Sequence, residues 1–184
     1  MKSRYSYFAT AMLACLWASY FVSWWAKGQV RDAMAGRRYP QLLYGARLPI
    51  SAETTSPADA SQLGRMRRHL VLAFEDACPF CRRNRVNWER LLSMSAWPRD
   101  TDVWLIPVTG AIGSYSDLVT LAKEHSVPLR VLSVRRRWVF TVRTGLVAVP
   151  ATVVVDGAER IRLVRTGEMA DSDVFVFTAA LRSD

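Results

Sequence analysis

The sequence has 184 residues, of which 51% are hydrophobic and 22% are charged, with nine glycines and eight prolines. These values exclude collagen-like, low-complexity and wholly disordered chains, and the length allows one ordinary domain with an appendage. The net charge of +9 comes from 22 arginines and three lysines against 16 acidic residues. Such a charge suggests nucleic-acid binding, but the basic runs are short and scattered, so we expect no nucleic-acid partner. Three cysteines are too few for the disulfide framework of a small secreted protein.

The N-terminal segment carries no charged residue from Tyr5 to Ala26, a run of 22 residues. At about 1.5 Å rise per residue, a helix of this length would cross the core of a bilayer. Lys2 and Arg4 precede the run, and aromatic residues stand at both of its ends, as is typical of a membrane interface. Residues 1–26 are therefore predicted to form a membrane anchor, a single transmembrane helix. A cleaved signal sequence is the alternative, although the apolar run continues beyond the small residues at which cleavage would occur.

Residues 27–62 are rich in Arg, Pro, Gly, Ser and Ala, and predict a basic linker or extension with a flexible part from Ser51 to Ser61. From Lys27 to Arg68 the chain holds eight basic and three acidic residues. We expect this excess positive charge to face anionic lipid headgroups. Positive charge flanks the predicted anchor on both sides, so the positive-inside rule does not set its orientation.

The domain predicted at residues 63–184 alternates between strands and helices. Short apolar runs predict strands, and apolar residues at helical spacing predict helices. The predicted strands are 69–74, 102–108, 147–155 and 161–165, and the predicted helices are 82–95, 116–124 and 172–181. Asp156-Gly157 is a strong hairpin signal between the last two strands. This order predicts an α/β fold, a central mixed sheet flanked by helices.

The candidate active site is Cys78-Pro79-Phe80-Cys81, which follows a predicted strand and begins a predicted helix. The free N–H groups and the dipole of a helix N-terminus favour negative charge, so we expect Cys78 to act as a nucleophilic thiolate. Cys81, one turn later, would attack the mixed disulfide at Cys78 and release the partner. Pro79 suits the first helical position, which needs no N–H. Pro79 and Phe80, between the two catalytic cysteines, are expected to contact the substrate.

Three arginines, Arg82, Arg83 and Arg85, follow the motif within two helical turns. Positive charge favours a nearby thiolate, so these residues are predicted to tune the pKa of the Cys78 thiol. A more stable thiolate stabilises the reduced protein and makes it a better oxidant.

Two other uses of the cysteines compete with catalysis. Cys78 and Cys81 could bind zinc together with His69 and His125, but the spacing of the histidines fits no usual zinc finger. A purely structural disulfide is the second alternative. Because dithiol chemistry needs neither a metal nor a cofactor, we expect neither.

The motif after its strand, together with Val149-Pro150-Ala151-Thr152 some 70 residues later, resembles the thioredoxin-like superfamily. Within it, the chain is most similar to membrane-anchored bacterial thiol-disulfide oxidoreductases of the TlpA/ResA type, over about residues 65–184. The resemblance implies a thioredoxin-like fold and a cis peptide bond before Pro150. It also implies that Val149 binds the extended chain of the substrate through backbone hydrogen bonds.

The sequence departs from this family at three positions near the motif. Ala77 replaces the common tryptophan before the first cysteine. Leu72 stands where thioredoxins often carry a buried acid, and Asn84 stands where ResA-type proteins often carry a glutamate. The resemblance therefore does not identify the group that moves the proton, nor the direction of electron flow.

Three functions stay open at this point. The resemblance implies a reductase for exported cysteine-containing proteins, such as apocytochromes or metal chaperones, which would draw electrons from a membrane reductant. A disulfide-forming oxidant or isomerase is the second function. The third is a non-catalytic docking subunit of a membrane complex, with Trp104, Trp138 and the run Arg135-Arg136-Arg137 as its surface. A tethered dithiol domain usually serves exported proteins, so we expect a single-pass protein of the bacterial inner membrane with its domain in the periplasm.

Overall fold

The computed structural model describes residue 17 and residues 44–55, 66–109, 112–146 and 148–182. The chain divides into two compact units, Met1–Pro40 and Gln41–Asp184, and every element below belongs to the second. Apart from Trp17, the anchor predicted over residues 1–26 lies outside the described residues. Among the helices that the structure describes, none has the length and apolar character needed to span a bilayer.

The second unit is built around a five-stranded sheet. In chain order its elements are α1 (Ile50–Glu53), β1 (Thr54–Thr55), β2 (Arg68–Glu75), α2 (Pro79–Leu92), β3 (Thr101–Thr109), α3 (Ser116–Glu124), β4 (Leu129–Val131), β5 (Ser133–Val134), α4 (Arg137–Thr144), β6 (Ala151–Asp156), β7 (Ile161–Thr166) and α5 (Asp171–Arg182). The strand order is β4-β3-β2-β6-β7, and β1 pairs separately with β5. A 3-10 turn, Gly113–Tyr115, precedes α3.

Strand β2 lies at the centre of the sheet, and this position explains the apolar run in its sequence. It pairs in parallel with β3 and antiparallel with β6, which confirms the predicted mixed sheet. Leu70, Leu72 and Phe74 pack into a core formed with helices α2, α3 and α5. The alternate residues Val71 and Ala73 are also fully buried, so both faces of β2 are covered.

The predicted hairpin at Asp156-Gly157 joins β6 to β7. The Asp156 Oδ1 atom accepts hydrogen bonds from the backbone N–H groups of Ala158 and Arg160, at 3.0 and 2.9 Å. These bonds hold the turn. Desolvation by itself would raise the pKa of Asp156, but the hydrogen bonds contribute to a net lowering of that pKa. Strand β6 begins at Ala151 rather than at residue 147, and the peptide bond between Val149 and Pro150, just before it, is cis.

Residues 44–55 correct the linker predicted over residues 27–62, because they pack on the domain. The backbone N–H of Gly45 donates to the carbonyl of Ile161, and that of Leu48 donates to the carbonyl of Glu159, both at 2.7 Å. Leu48 and Ile50 are fully buried. The predicted domain start at residue 63 is therefore too late, since this segment supplies part of the core.

Trp104 is a second correction, because it cannot belong to a docking surface. Its side chain is 1% exposed and stacks on the ring of His69, with centroids 4.0 Å apart. Its Nε1–H donates to Asp102 Oδ2 over 3.2 Å. Trp104 lies in the continuous apolar run of β3, which is buried along nearly its whole length.

Candidate active site

The two cysteines lie at the start of helix α2, just after the central strand β2. Glu75 ends β2, and Cys78 is the N-cap residue of α2, with Pro79 as the first helical residue, as predicted. The Cys78 Sγ atom accepts a hydrogen bond from the backbone N–H of Cys81, over 3.2 Å. This bond uses one of the N–H groups left free at the helix start, and it places the sulfur at the positive end of the helix dipole.

The two thiols differ in their surroundings. Both cysteines are free; Cys78 is partly exposed, whereas Cys81 is fully buried. Burial raises the pKa of the Cys81 thiol to about 12, and the neighbouring Cys78 adds to the effect. Cys78 is therefore the sulfur that an external disulfide can reach, and Cys81 is held protonated beneath it.

Val149 and Pro150 lie beside Cys78, as the resemblance implied. The peptide bond between them is cis, and the Cys78 thiol donates a hydrogen bond to the Val149 carbonyl over 3.6 Å. The sheet register explains the contact, because Ala73 pairs with Ala151 and so brings the start of β6 to the end of β2. A backbone carbonyl that faces the reactive sulfur is suited to bind an extended peptide that carries the attacked disulfide.

Phe80 is the exposed side chain of the motif. Half of it, 52%, is accessible to solvent, and the Arg83 guanidinium lies over its ring, 4.7 Å from the centroid. The Arg83 Nε–H also donates to Glu168 Oε2 over 2.8 Å. The Arg83 guanidinium thus makes a cation–π contact with the aromatic ring and an ion pair with a carboxylate.

Of the other two predicted pKa-tuning arginines, Arg85 has carboxylate partners and Arg82 has none among the described residues. The Arg85 guanidinium bridges Glu89, at 2.9 Å, and Asp117. Arg82 is exposed and forms no ion pair within the described ranges. The positive charge near Cys78 is therefore smaller than three arginines suggest, and the tuning role stays a prediction.

The histidines of the zinc alternative lie apart from the cysteines. His69 begins the apolar part of β2, at the edge of the sheet opposite to Cys78, where its Nδ1 atom is hydrogen-bonded to Asp102. Both side chains are buried. His125 follows the last residue of α3. Within the part of the chain that the structure describes, no cluster of three or more Cys, His, Asp or Glu side chains could hold a metal ion.

Tyr115 belongs to the surroundings of the site and carried no signal in the sequence. Its ring is buried against Phe74, with centroids 4.1 Å apart, and its hydroxyl has no hydrogen-bond partner among the described residues. Burial, together with the negative charges of Cys81 and Cys78, raises the pKa of Tyr115. The turn that carries it packs closely on the turn before the motif, since a Cβ at Gly113 would lie 2.7 Å from an Asp76 carboxylate oxygen.

Asn84 takes the place at which the resemblance expects a glutamate, and here it has a structural role. The residue is fully buried, and its Oδ1 atom accepts a hydrogen bond from the N–H of Met169 over 2.8 Å. The Asn87 amide donates to the carbonyl of the same residue, also over 2.8 Å. The two asparagines thus fasten α2 to the segment before α5.

The solved structures that resemble this chain include the following two. A thiol-disulfide isomerase from Corynebacterium glutamicum has a TM-score of 0.51 and 16% sequence identity, over 78% of this chain and 97% of that chain. The thioredoxin domain of a thiol-disulfide oxidoreductase from Bacteroides vulgatus has a TM-score of 0.51 and 12% identity, over 77% and 99%. Neither a protein-family model nor a curated protein matches the chain. The sheet order, the helix-start dithiol, the cis-proline and these similarities together identify the fold of the chain as thioredoxin-like.

Proposed function

We propose that the protein is a thiol-disulfide oxidoreductase that exchanges disulfides with protein partners through Cys78 and Cys81. One observation carries the proposal. The Cys78 sulfur is partly exposed, accepts a hydrogen bond at the start of α2 and faces the Val149 carbonyl. A structural disulfide would need none of these features, whereas a nucleophilic thiolate needs an accessible sulfur at an electropositive position.

The reaction consists of two exchanges. In the reducing direction, the Cys78 thiolate attacks one sulfur of the partner's disulfide; a mixed disulfide forms and the partner's second sulfur leaves as a thiolate. Cys81 then attacks Cys78. The Cys78–Cys81 bond forms, the first partner sulfur leaves, and the proton of Cys81 ends on a departing sulfur. The oxidising direction is the reverse, and both directions need only the two cysteines.

The partner's chain would lie across the surface formed by Phe80 and the Val149–Pro150 segment. In the free protein the Val149 carbonyl accepts from the Cys78 thiol. A backbone N–H of the partner would replace the thiol as the donor once Cys78 has reacted. Pro79 has no N–H and would contribute only its ring.

The location and the partners extend the proposal beyond the catalytic unit. The uncharged run from Tyr5 to Ala26 supports an N-terminal anchor in the bacterial inner membrane, with the domain in the periplasm. Exported proteins with cysteine pairs, including apocytochromes and metal chaperones, would then be the partners, and a membrane reductant would supply electrons to a reductase. Alkaline phosphatase fused to the C-terminus is expected to be active; an inactive fusion would contradict the periplasmic location.

Reduction of insulin tests the activity itself. Full-length protein in detergent, kept reduced with dithiothreitol, is expected to accelerate the precipitation of insulin chains. The Cys78→Ser variant should show only the rate of dithiothreitol alone. Equal rates for the variant and the unaltered protein would rule out catalysis by Cys78.

A further inference from the structure

We infer that the surface beside Cys78 selects partners whose cysteines are flanked by acidic residues; this inference rests on the proposed function and names its substrate class. Exposed arginines and two exposed aromatic side chains form that surface. We call it the arginine surface, and its members are Phe80, Arg82, Arg135, Arg136 and Trp138.

The sheet topology brings the members of the arginine surface to one edge. Strands β2, β3 and β4 run in parallel, so the residues that follow β4 reach the same edge of the sheet as the motif that follows β2. One contact fixes the approach. The Arg137 Nη2 atom lies 3.0 Å from Glu75 Oε1, and the Glu75 carbonyl accepts from the N–H of Cys78 over 3.1 Å. Arg137 therefore contacts the residue three positions before Cys78, and the run Arg135-Arg136-Arg137 lies at the same edge of the sheet as the motif.

Positive charge exceeds negative charge at this edge, although the exposed carboxylate of Asp76 lies two residues before Cys78. Arg137 is neutralised by Glu75, and Arg83 by Glu168. Arg82, Arg135 and Arg136 are exposed, and in the described part of the chain no carboxylate lies within ion-pair distance of any of the three. Exposed guanidinium groups at the edge of the sheet that carries the reactive sulfur attract anionic segments and repel cationic ones, which changes association rates more than the chemistry.

Two aromatic side chains complete the surface. Phe80 is 52% exposed, and Trp138, at the start of α4, is 71% exposed. Large aromatic residues and arginine are the residue types most enriched at the energetic centres of protein interfaces. The surface therefore suits a peptide in which an apolar residue and carboxylates stand close to the cysteine.

Three synthetic peptides test the inference. Each carries one intramolecular disulfide and the same apolar residue, and the flanking residues are glutamate, glutamine or lysine. With reduced full-length protein in detergent, we expect the glutamate peptide to react at least about tenfold faster than the lysine peptide at low salt, and the ratio to fall as salt is added. Equal rates for the three peptides would overturn the inference.

Charge reversal supplies the variant. Arg135→Glu combined with Arg136→Glu is expected to reverse the preference, so that the lysine peptide reacts faster. Faster reaction with the lysine peptide can be observed only if the variant is folded and active. If the double variant reacts with no peptide, Arg135→Gln with Arg136→Gln takes its place, and its expected result is loss of the preference. An unchanged preference for the glutamate peptide in the active variant would overturn the inference.

The matched control changes the same number of charges far from the site. Arg160 precedes β7, at the edge of the sheet opposite to Cys78, and Arg182 ends α5; both are exposed. Arg160→Glu with Arg182→Glu should keep the preference for the glutamate peptide. If this control variant lost the preference, the arginines beside Cys78 could not be its cause. The glutamine peptide separates the two proposals. If the unaltered protein does not reduce it or either of the others, the oxidoreductase function fails; if it reduces all three equally, only the acidic preference fails.

Discussion

The sulfur of Cys78 lies 3.6 Å from the carbonyl oxygen of Val149, although 71 residues separate the two in the chain. The antiparallel pairing of β2 with β6 produces this contact, and the N-terminus of α2 approaches the same sulfur from the other side. The reactive sulfur thus has a backbone N–H donor from the helix start and a backbone carbonyl acceptor that is suited to a bound peptide. The proposed order of reaction, Cys78 first and Cys81 second, follows from this placement.

The order of reaction predicts that Cys81→Ser will accumulate a mixed disulfide. Cys78 can still attack a partner, but no second sulfur is present to release it. Incubation with a disulfide peptide should give a covalent adduct that mass spectrometry locates on Cys78 and that dithiothreitol removes.

The reciprocal variant is the control for the trapping experiment. Cys78→Ser leaves the buried Cys81 as the only thiol of the motif, so the motif should form at least about tenfold less adduct in the same time. An adduct on Cys81 in this variant, at the rate seen for Cys78, would contradict the assigned order.

The raised pKa of Cys81 predicts a pH dependence of stability in the reduced protein. An ordinary thiol has a pKa of 9.0, and burial raises that of Cys81 to about 12. Below pH 9 the thiol is protonated in both the folded and the unfolded chain. Between pH 9 and about 12 the unfolded chain loses the proton and the folded protein keeps it, so the free energy of unfolding falls as the pH rises.

Urea denaturation of the reduced protein at pH 8 and pH 10 measures this effect. Tyrosine and lysine also titrate in this range, so the comparison is with Cys81→Ala, which retains those groups. The unaltered protein should lose more stability than the variant. Equal losses would show that Cys81 does not titrate differently in the two states.

The centre of the fold was predictable from the sequence because its signals are local. The apolar run of β2, the cysteine-proline helix start and the Asp156-Gly157 hairpin each depend on neighbouring residues, and all three are confirmed. The segment 44–55 was not predictable in this way. Its place in the domain depends on backbone hydrogen bonds to β7 and to the loop before β7, and on two buried side chains. The polar composition of the segment predicts neither the bonds nor the burial.

The site was predictable in its chemistry and less so in its electrostatics. The cysteines and the proline-containing strand form recognisable motifs. The carboxylates that pair with Arg83 and Arg85 come from residue 168 and from residues 89 and 117, and two of these three positions are distant in sequence. Trp104 and Trp138 look alike in sequence, yet only the packing shows that the first is buried and the second exposed.

The corrected domain boundary predicts that Leu48→Ala destabilises the protein. Leu48 is fully buried, and truncation of a buried leucine typically costs about 2–5 kcal/mol, through the lost burial and the cavity that remains. Arg47→Ala is the control in the same segment, because its exposed side chain forms only a long ion pair of 3.8 Å and should change stability by less than about 1 kcal/mol. If urea denaturation showed equal losses of stability for the two variants, residues 44–55 would have to be assigned to the linker and not to the domain.

The buried Tyr115 hydroxyl has no hydrogen-bond partner among the described residues, and this predicts that Tyr115→Phe stabilises the protein. A buried hydroxyl without a hydrogen bond pays a desolvation cost, and its removal should raise the free energy of unfolding by about 1 kcal/mol. Tyr44→Phe is the control, since Tyr44 is exposed and should have little effect. A loss of stability in Tyr115→Phe would mean that the hydroxyl has a partner in the folded protein.

The reduction potential of the Cys78–Cys81 pair tests the proposed function most directly. Equilibration of the full-length protein with glutathione buffers, followed by alkylation and mass spectrometry, gives the fraction oxidised at each ratio. A catalytic dithiol should titrate as a two-electron couple between about −270 mV, the thioredoxin value that would indicate a reductase, and about −120 mV, the DsbA value that would indicate an oxidant. A potential below about −300 mV, as in structural disulfides, or no reversible couple at all, would contradict the assignment of Cys78 and Cys81 as a catalytic pair.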